Sequence, residues 1–169
     1  MTMMISGDAR TIAECDAAFA AMSAKRFVVG SEPGHAASYK VLNNQLAAVN
    51  LAAGAEALTL ALAAGLDPRM LMQVVNASSG ASWIVSERMP RALSRDHAPR
   101  AAAKLLHKDV GIAVDAAAAL GIDAPLAGVA RATFAAALAA GYGEMDDAAL
   151  VEFCCKRAGV DPPDPAQGL

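Results

Sequence analysis

The chain has 169 residues, 56% of them hydrophobic and only 4% aromatic, with a formal net charge of −3. That is long enough to bury one core without disulfides or metal, too apolar for a disordered chain and too poor in aromatics for an all-β fold. The 43 alanines argue for closely packed helices, and the lack of a Lys/Arg stripe argues against a nucleic-acid partner.

In chain order, Thr2 to Ser6 is a short apolar run ending at Gly7. Asp8 can cap a helix on which Ile12, Cys15, Phe19 and Met22 recur at helical spacing. Arg26 to Val29 then reads as a second strand closed by Gly30, completing a strand-helix-strand crossover. Two strands do not make a stable sheet, so residues 1–30 read as the edge of a larger one. Pro33 and Gly34 mark a turn. From Ala36 to Ala64 only Gly54 interrupts a helix that would be about 43 Å long at 1.5 Å per residue. Gly65 ends it, and Asp67-Pro68 opens the next helix, to Asn76. A third helix runs from Ser82 to about Met89-Pro90, a fourth from Arg100 to Leu120, a fifth from Pro125 to Gly141, and a sixth from Asp146-Asp147 to Gly159. The fold class is mainly α: an Ala-rich six-helix bundle over residues 31–160, with one long helix, preceded by the strand-helix-strand unit. The proline-rich residues 161–169 read as a flexible tail.

The segment from Leu46 to Leu66 is long enough to span a bilayer. Glu56 at its centre, its alanine content and the lack of Trp or Tyr anchors argue instead for a buried helix of a soluble bundle. The first residues lack the basic and apolar regions of a signal peptide. Cys15, Cys154 and Cys155 are an odd set with one adjacent pair, a pattern of reduced thiols and a cytoplasmic location. Cys154 and Cys155 read as small core residues. His35, His97 and His107 lie on different elements and form no zinc pattern, so no metal site is expected.

The stretch from Pro33 to Asn44 is the most informative. Lys40 and Asn44 are four apart, on one face of the long helix. A lysine beside an amide can move a proton at a hydroxyl or carbonyl oxygen. The same spacing also suits a solvated lysine and an asparagine bonded to a loop. No Gly-x-Gly-x-x-Gly follows a strand, so the chain has no dinucleotide cradle of its own.

Gly34, Lys40 and Asn44 resemble the catalytic helix of the β-hydroxyacid dehydrogenases, in which a glycine-rich turn precedes Lys and, four residues on, Asn. That family includes 3-hydroxyisobutyrate, tartronate semialdehyde and L-threonate dehydrogenases and glyoxylate/succinic semialdehyde reductases. The resemblance continues through Glu56-Ala57, Gly65 to Pro68, Ser79 to Trp83, Arg88 to Arg91 and Lys108 to Val110. It also covers Met4 to Asp8 and Phe27 to Gly30, which are similar to the last strand-helix-strand of the family's nucleotide domain. The wording around Ser82-Trp83, Arg88 to Pro90 and Asp123 to Ala127 is most similar to the L-threonate dehydrogenase branch. Ala36 departs from the pattern, standing where the family has its second glycine.

The resemblance implies a two-domain oxidoreductase in which a Rossmann domain binds NAD or NADP and the helical domain supplies catalysis and the dimer contact. Lys40 is then the general acid/base. Asn44 holds the substrate, a small hydroxy acid, or the lysine; Gly34 and Ser79 belong to the substrate site, and Trp83 is a wall of that pocket or of the interface. Lys108 approaches the nicotinamide or the substrate carboxylate, and Asp109 orients it. The phosphate-binding fingerprint and the family's N-terminal serine–glycine motif have no counterpart here, so no cofactor is expected on this chain alone. A catalytically incomplete helical homodimerisation module is the competing expectation.

Overall fold

A computed structural model describes residues 2–165. The chain divides into two compact units, residues 1–44 and 45–169, with the division falling inside the longest helix.

In the first unit, strand β1 (Thr2–Ser6) is followed by helices α1 (Ala9–Glu14) and α2 (Asp16–Met22) and strand β2 (Lys25–Gly30). The strands pair in parallel, Thr2 opposite Lys25 and Ile5 opposite Val28, with an irregularity between Ile5 and Ser6. Parallel pairing requires a crossover between the strands, which the two helices supply. Asp8 caps α1 as expected, accepting from the Thr11 amide at 3.0 Å. The single helix expected from Asp8 to Met22 is instead kinked at Cys15, whose backbone sits at φ −93°, ψ 0°. The hydrogen-bond ladder bridges the kink: the Cys15 amide donates to the Thr11 and Ile12 carbonyls, and the Phe19 amide donates to Cys15.

The long helix α3 (His35–Ala63) starts in the first unit and ends in the second. By length and composition alone it could cross a bilayer. Nevertheless Ala48, Leu51, Ala55 and Leu58 are fully buried in the apolar core of the second unit. Glu56 lies on its exposed face.

The second unit continues with α4 (Pro68–Asn76), α5 (Trp83–Leu93), α6 (Ala103–Ala119), α7 (Pro125–Ala137) and α8 (Leu150–Ala158). A π-helical turn, Leu138–Tyr142, closes α7, and a 3-10 turn, Asp147–Ala149, leads into α8. With α3 these make the six helices expected after the strand-helix-strand unit. Phe134, Leu51, Leu58, Met89, Leu150 and Val110 are its largest fully buried apolar side chains. Gly54 of α3 packs against Val85 and Met89 of α5. A Cβ there would stand 3.0 Å from Val85 Cγ2 and 3.5 Å from Met89 Cε, so the one glycine in α3 makes room for its neighbour.

Three helix limits differ from expectation. α6 begins at Ala103 rather than Arg100, because the Arg100 and Ala101 amides donate to the Asp146 carboxylate instead. α5 runs through Pro90 to Leu93, because burial of Met89, Ala92 and Leu93 outweighs the amide that proline lacks. The last helix opens with 3-10 geometry, and its α-helical part begins at Leu150. The expected flexible tail, 161–169, lies partly outside the described residues. Residues 161–165 belong to no helix or strand, and Pro163 is buried.

Candidate active site

The first turn of α3 is built by the strand-helix-strand unit. Gly34 has φ +99°, a conformation that disfavours any side chain. Its carbonyl accepts from the Ser38 amide (3.0 Å) and the Ser38 hydroxyl (3.3 Å). Two residues on, the Ala36 amide donates to Ser6 Oγ at 3.1 Å, joining the helix start to the end of β1. Gly34 thus shapes the turn through its backbone.

One turn further on, Lys40 Nζ donates to Asn44 Oδ1 at 2.8 Å. The i,i+4 spacing read from the sequence therefore becomes a direct hydrogen bond. Asn44 is buried while Lys40 is exposed, so a fixed amide holds an ammonium at the surface. Asn43 Nδ2 also donates to Asn44 Oδ1, at 3.1 Å. Sequence reasoning missed this contact, because neighbouring residues on a helix do not ordinarily face each other.

The other expected site residues belong to the second unit. Lys108 Nζ lies 2.9 Å from Asp109 Oδ1 on α6, with 63% of the lysine side chain exposed. The structure therefore brings this pair together. Ser79 is exposed on the turn between α4 and α5. Trp83 opens α5 just after Ser82, whose hydroxyl caps the helix by accepting from the Val85 amide at 3.3 Å. At 70% exposure Trp83 is a surface residue, with the Arg88 guanidinium 5.8 Å from its ring centroid. Two positions named together from the sequence thus flank one helix start, presenting a hydroxyl and an indole to solvent.

Two buried charge clusters were not anticipated. Arg88 Nε donates to Asp147 Oδ1 at 2.6 Å, and Arg91 Nη1 donates to Asp146 Oδ2 at 2.9 Å. Asp146 also accepts from the backbone amides of Arg100, Ala101 and Ala148. Burial raises the Asp146 carboxyl, but those three amides and Arg91 outweigh it and leave it below the usual range. For Asp147 burial wins over Arg88, and its carboxyl is pushed up to about 6. In the second cluster Glu152 receives Lys156 at 2.6 Å, His97 at 2.8 Å, Arg95 at 3.3 Å and the Tyr142 hydroxyl at 3.3 Å. Burial opposes its charge, yet these partners bring it down to about 2. The available signal was Arg88 and Arg91 at helical spacing and the adjacent Asp146-Asp147, which read only as a helix start. Cys154 and Cys155 are buried, and burial pushes the Cys154 thiol up to about 11, as suits core residues.

Residues 34–154, most of the chain, match the domain family described as NAD-binding of NADP-dependent 3-hydroxyisobutyrate dehydrogenase, and the chain belongs to it. Among its relatives is an L-threonate dehydrogenase of Escherichia coli O6:H1, 37% identical over 153 residues that cover 90% of this chain and 51% of the relative. A crystal structure of 3-hydroxyisobutyrate dehydrogenase from Salmonella typhimurium superposes with a TM-score of 0.83 at 33% identity, over 88% of this chain and 52% of the other. The Mycobacterium tuberculosis 3-hydroxyisobutyrate dehydrogenase with L-serine gives 0.79 at 31% identity, over 88% and 53%. The chain spans about half the length of the curated relatives it matches.

Proposed function

We propose that this chain is the C-terminal catalytic and dimerisation part of a cytoplasmic NAD(P)-dependent β-hydroxyacid dehydrogenase acting on a small hydroxy acid. The observation that carries the reading is the 2.8 Å bond from Lys40 to a buried Asn44 at the first turns of a glycine-initiated helix, in a chain of this family. Phe27 and Val28 are more than half exposed on the two-stranded sheet, as edge strands of a larger nucleotide-binding sheet would be.

A bound nicotinamide would supply the hydride acceptor for oxidation of the carbinol carbon. Lys40, as the neutral amine, accepts the hydroxyl proton as that carbon is oxidised, and as the ammonium it returns the proton in the reverse direction. Asn44 holds Nζ in place, so the amine does not search for its partner in each turnover. Lys108 fits an anionic or carboxamide group, since its Nζ is largely in solvent and Asp109 steadies it from one side. Among the described residues no Gly-x-Gly-x-x-Gly follows a strand to cradle a pyrophosphate at a helix start. The chain alone is therefore expected to bind NAD and NADP more weakly than low micromolar in titration calorimetry.

The large apolar side chains exposed on α6 and α7, among them Leu105, Ile112, Leu126 and Val129, support a homodimer. The deciding experiment is Lys40→Ala in the complete enzyme, with a nucleotide domain in cis. Turnover should fall roughly 10² to 10⁴-fold while the unfolding midpoint stays put. Turnover kept above about half would leave the helical dimerisation module as the better reading.

A further inference from the structure

Asn43 lies one residue before Asn44, and its amide nitrogen and the Lys40 ammonium share a single acceptor. Lys40 Nζ reaches Asn44 Oδ1 at 2.8 Å and Asn43 Nδ2 reaches the same oxygen at 3.1 Å. A carboxamide oxygen has two lone pairs, and both are taken by groups of this chain. The orientation of the Asn44 amide is therefore over-determined. Rotated by 180°, it would set its own NH₂ against an ammonium and a second NH₂, donor against donor.

We propose that Asn43 is a positioning residue that locks the Asn44 carboxamide with its oxygen toward Lys40 and closes that oxygen to the substrate. This deepens the dehydrogenase reading and rests on it. The chemical consequence concerns the substrate hydroxyl. A hydroxyl needs an acceptor for its proton, and the Asn44 oxygen, saturated by two donors, does not compete with Lys40 for it. The proton then has one destination at this helix turn, the lysine amine. Asn43 touches no reacting atom in this scheme. It acts only by keeping the lysine's holder turned the right way and occupied.

Two measurements test this. The first uses the full chain and needs no activity. Scalar couplings across hydrogen bonds should connect Asn44 Cγ to both Lys40 Nζ and Asn43 Nδ2 in isotope-labelled protein. In Asn43→Ala the Asn43 coupling disappears and the Lys40 coupling should weaken, as the amide samples its second orientation. The second uses the complete enzyme with its nucleotide domain in cis. Asn43→Ala should lower kcat about five- to tenfold, the worth of one hydrogen bond, with KM changed less than about twofold. Asn43→Asp, which offers no donor and draws the ammonium toward itself, should be worse than Asn43→Ala. Asn43→Gln, which restores an NH₂, should recover part of the rate. A residue that only decorates the helix surface predicts no kcat change and no rescue, since Ala is the better helix former. Absence of the Asn43 coupling in the unsubstituted chain overturns the proposal. So does a neutral Asn43→Ala in an enzyme that Lys40→Ala inactivates. If Lys40→Ala is itself neutral, the dehydrogenase reading fails, and this proposal falls with it.

Discussion

Arg88 and Asp147, 59 residues apart in the chain, meet at 2.6 Å with 15% and 3% of their side chains exposed. Such a pair adds little net stability when intact, but losing one partner strands the other charge. Asp147 titrates near 6 in the fold because burial opposes its charge. Its folded value lies above the ordinary 3.8, so the neutral form is favoured and stability declines as pH rises from about 4 through 6. Arg88→Ala should therefore cost about 3–5 kcal/mol at pH 8 and clearly less at pH 5, where Asp147 can take up a proton. Urea unfolding of both proteins at the two pH values measures this, and equal losses would show that Asp147 does not titrate in that window.

Glu152 behaves in the opposite sense. Its carboxyl sits near 2 against an ordinary 4.5, so its stabilisation is present above 4.5 and fades as pH falls toward 2. Glu152→Gln should be destabilised at neutral pH and should lose less further stability on acidification than the parent chain. Thermal melts between pH 7 and pH 3 would reveal the flatter profile.

At the site itself, Lys40→Arg should fail to restore turnover, because a guanidinium keeps its proton at any working pH. Asn44→Asp should also be harmful. It places a negative charge within bonding distance of the ammonium, favouring the charged form and repelling a carboxylate substrate. Steady-state rates of the complete enzyme, read by nicotinamide absorbance, check both substitutions.

For assembly, the exposed Leu126 and Val129 on α7 should lie within a homodimer contact burying more than roughly 2,000 Å² in total. Sedimentation should give a dimer at micromolar concentration, and Val129→Asp should shift it toward monomer. A parent chain that sediments as a monomer would contradict the assignment.

Much of this fold was legible because its signals are local. Asp8, Asp67 and Ser82 each cap the helix that their spacing announced, and short apolar runs closed by glycine marked both strands. Lys40 and Asn44 were legible for the same reason, since four residues on a helix bring two side chains together whatever surrounds them. What stayed hidden depends on the tertiary surroundings. Pro90 reads as a stop, yet the packing of Met89 and Leu93 carries the helix past it. Asp146 reads as a cap and is one, toward Ala148. Nothing near it in sequence tells that its other oxygen serves Arg91 and two amides about 45 residues away. The shared acceptor at Asn44 was hidden as well, because it depends on side-chain torsions that spacing does not determine.

Asp146 has a consequence for how the helical unit comes apart. Its side chain is wholly inaccessible and bonds Arg91, Arg100 and Ala101 as well as Ala148. Its own amide donates to the His97 carbonyl, and the amide of the next residue donates to Ala101. The loop after α5 and the approach to α8 therefore form one knot of main chain tied around a single carboxylate. Neither strand of the knot can fray while the other stays native, since each holds the other's donors. Local opening of the last helix start and of the middle loop is then one event with one free energy, and the two stretches behave as a single cooperative unit despite the 45 residues between them.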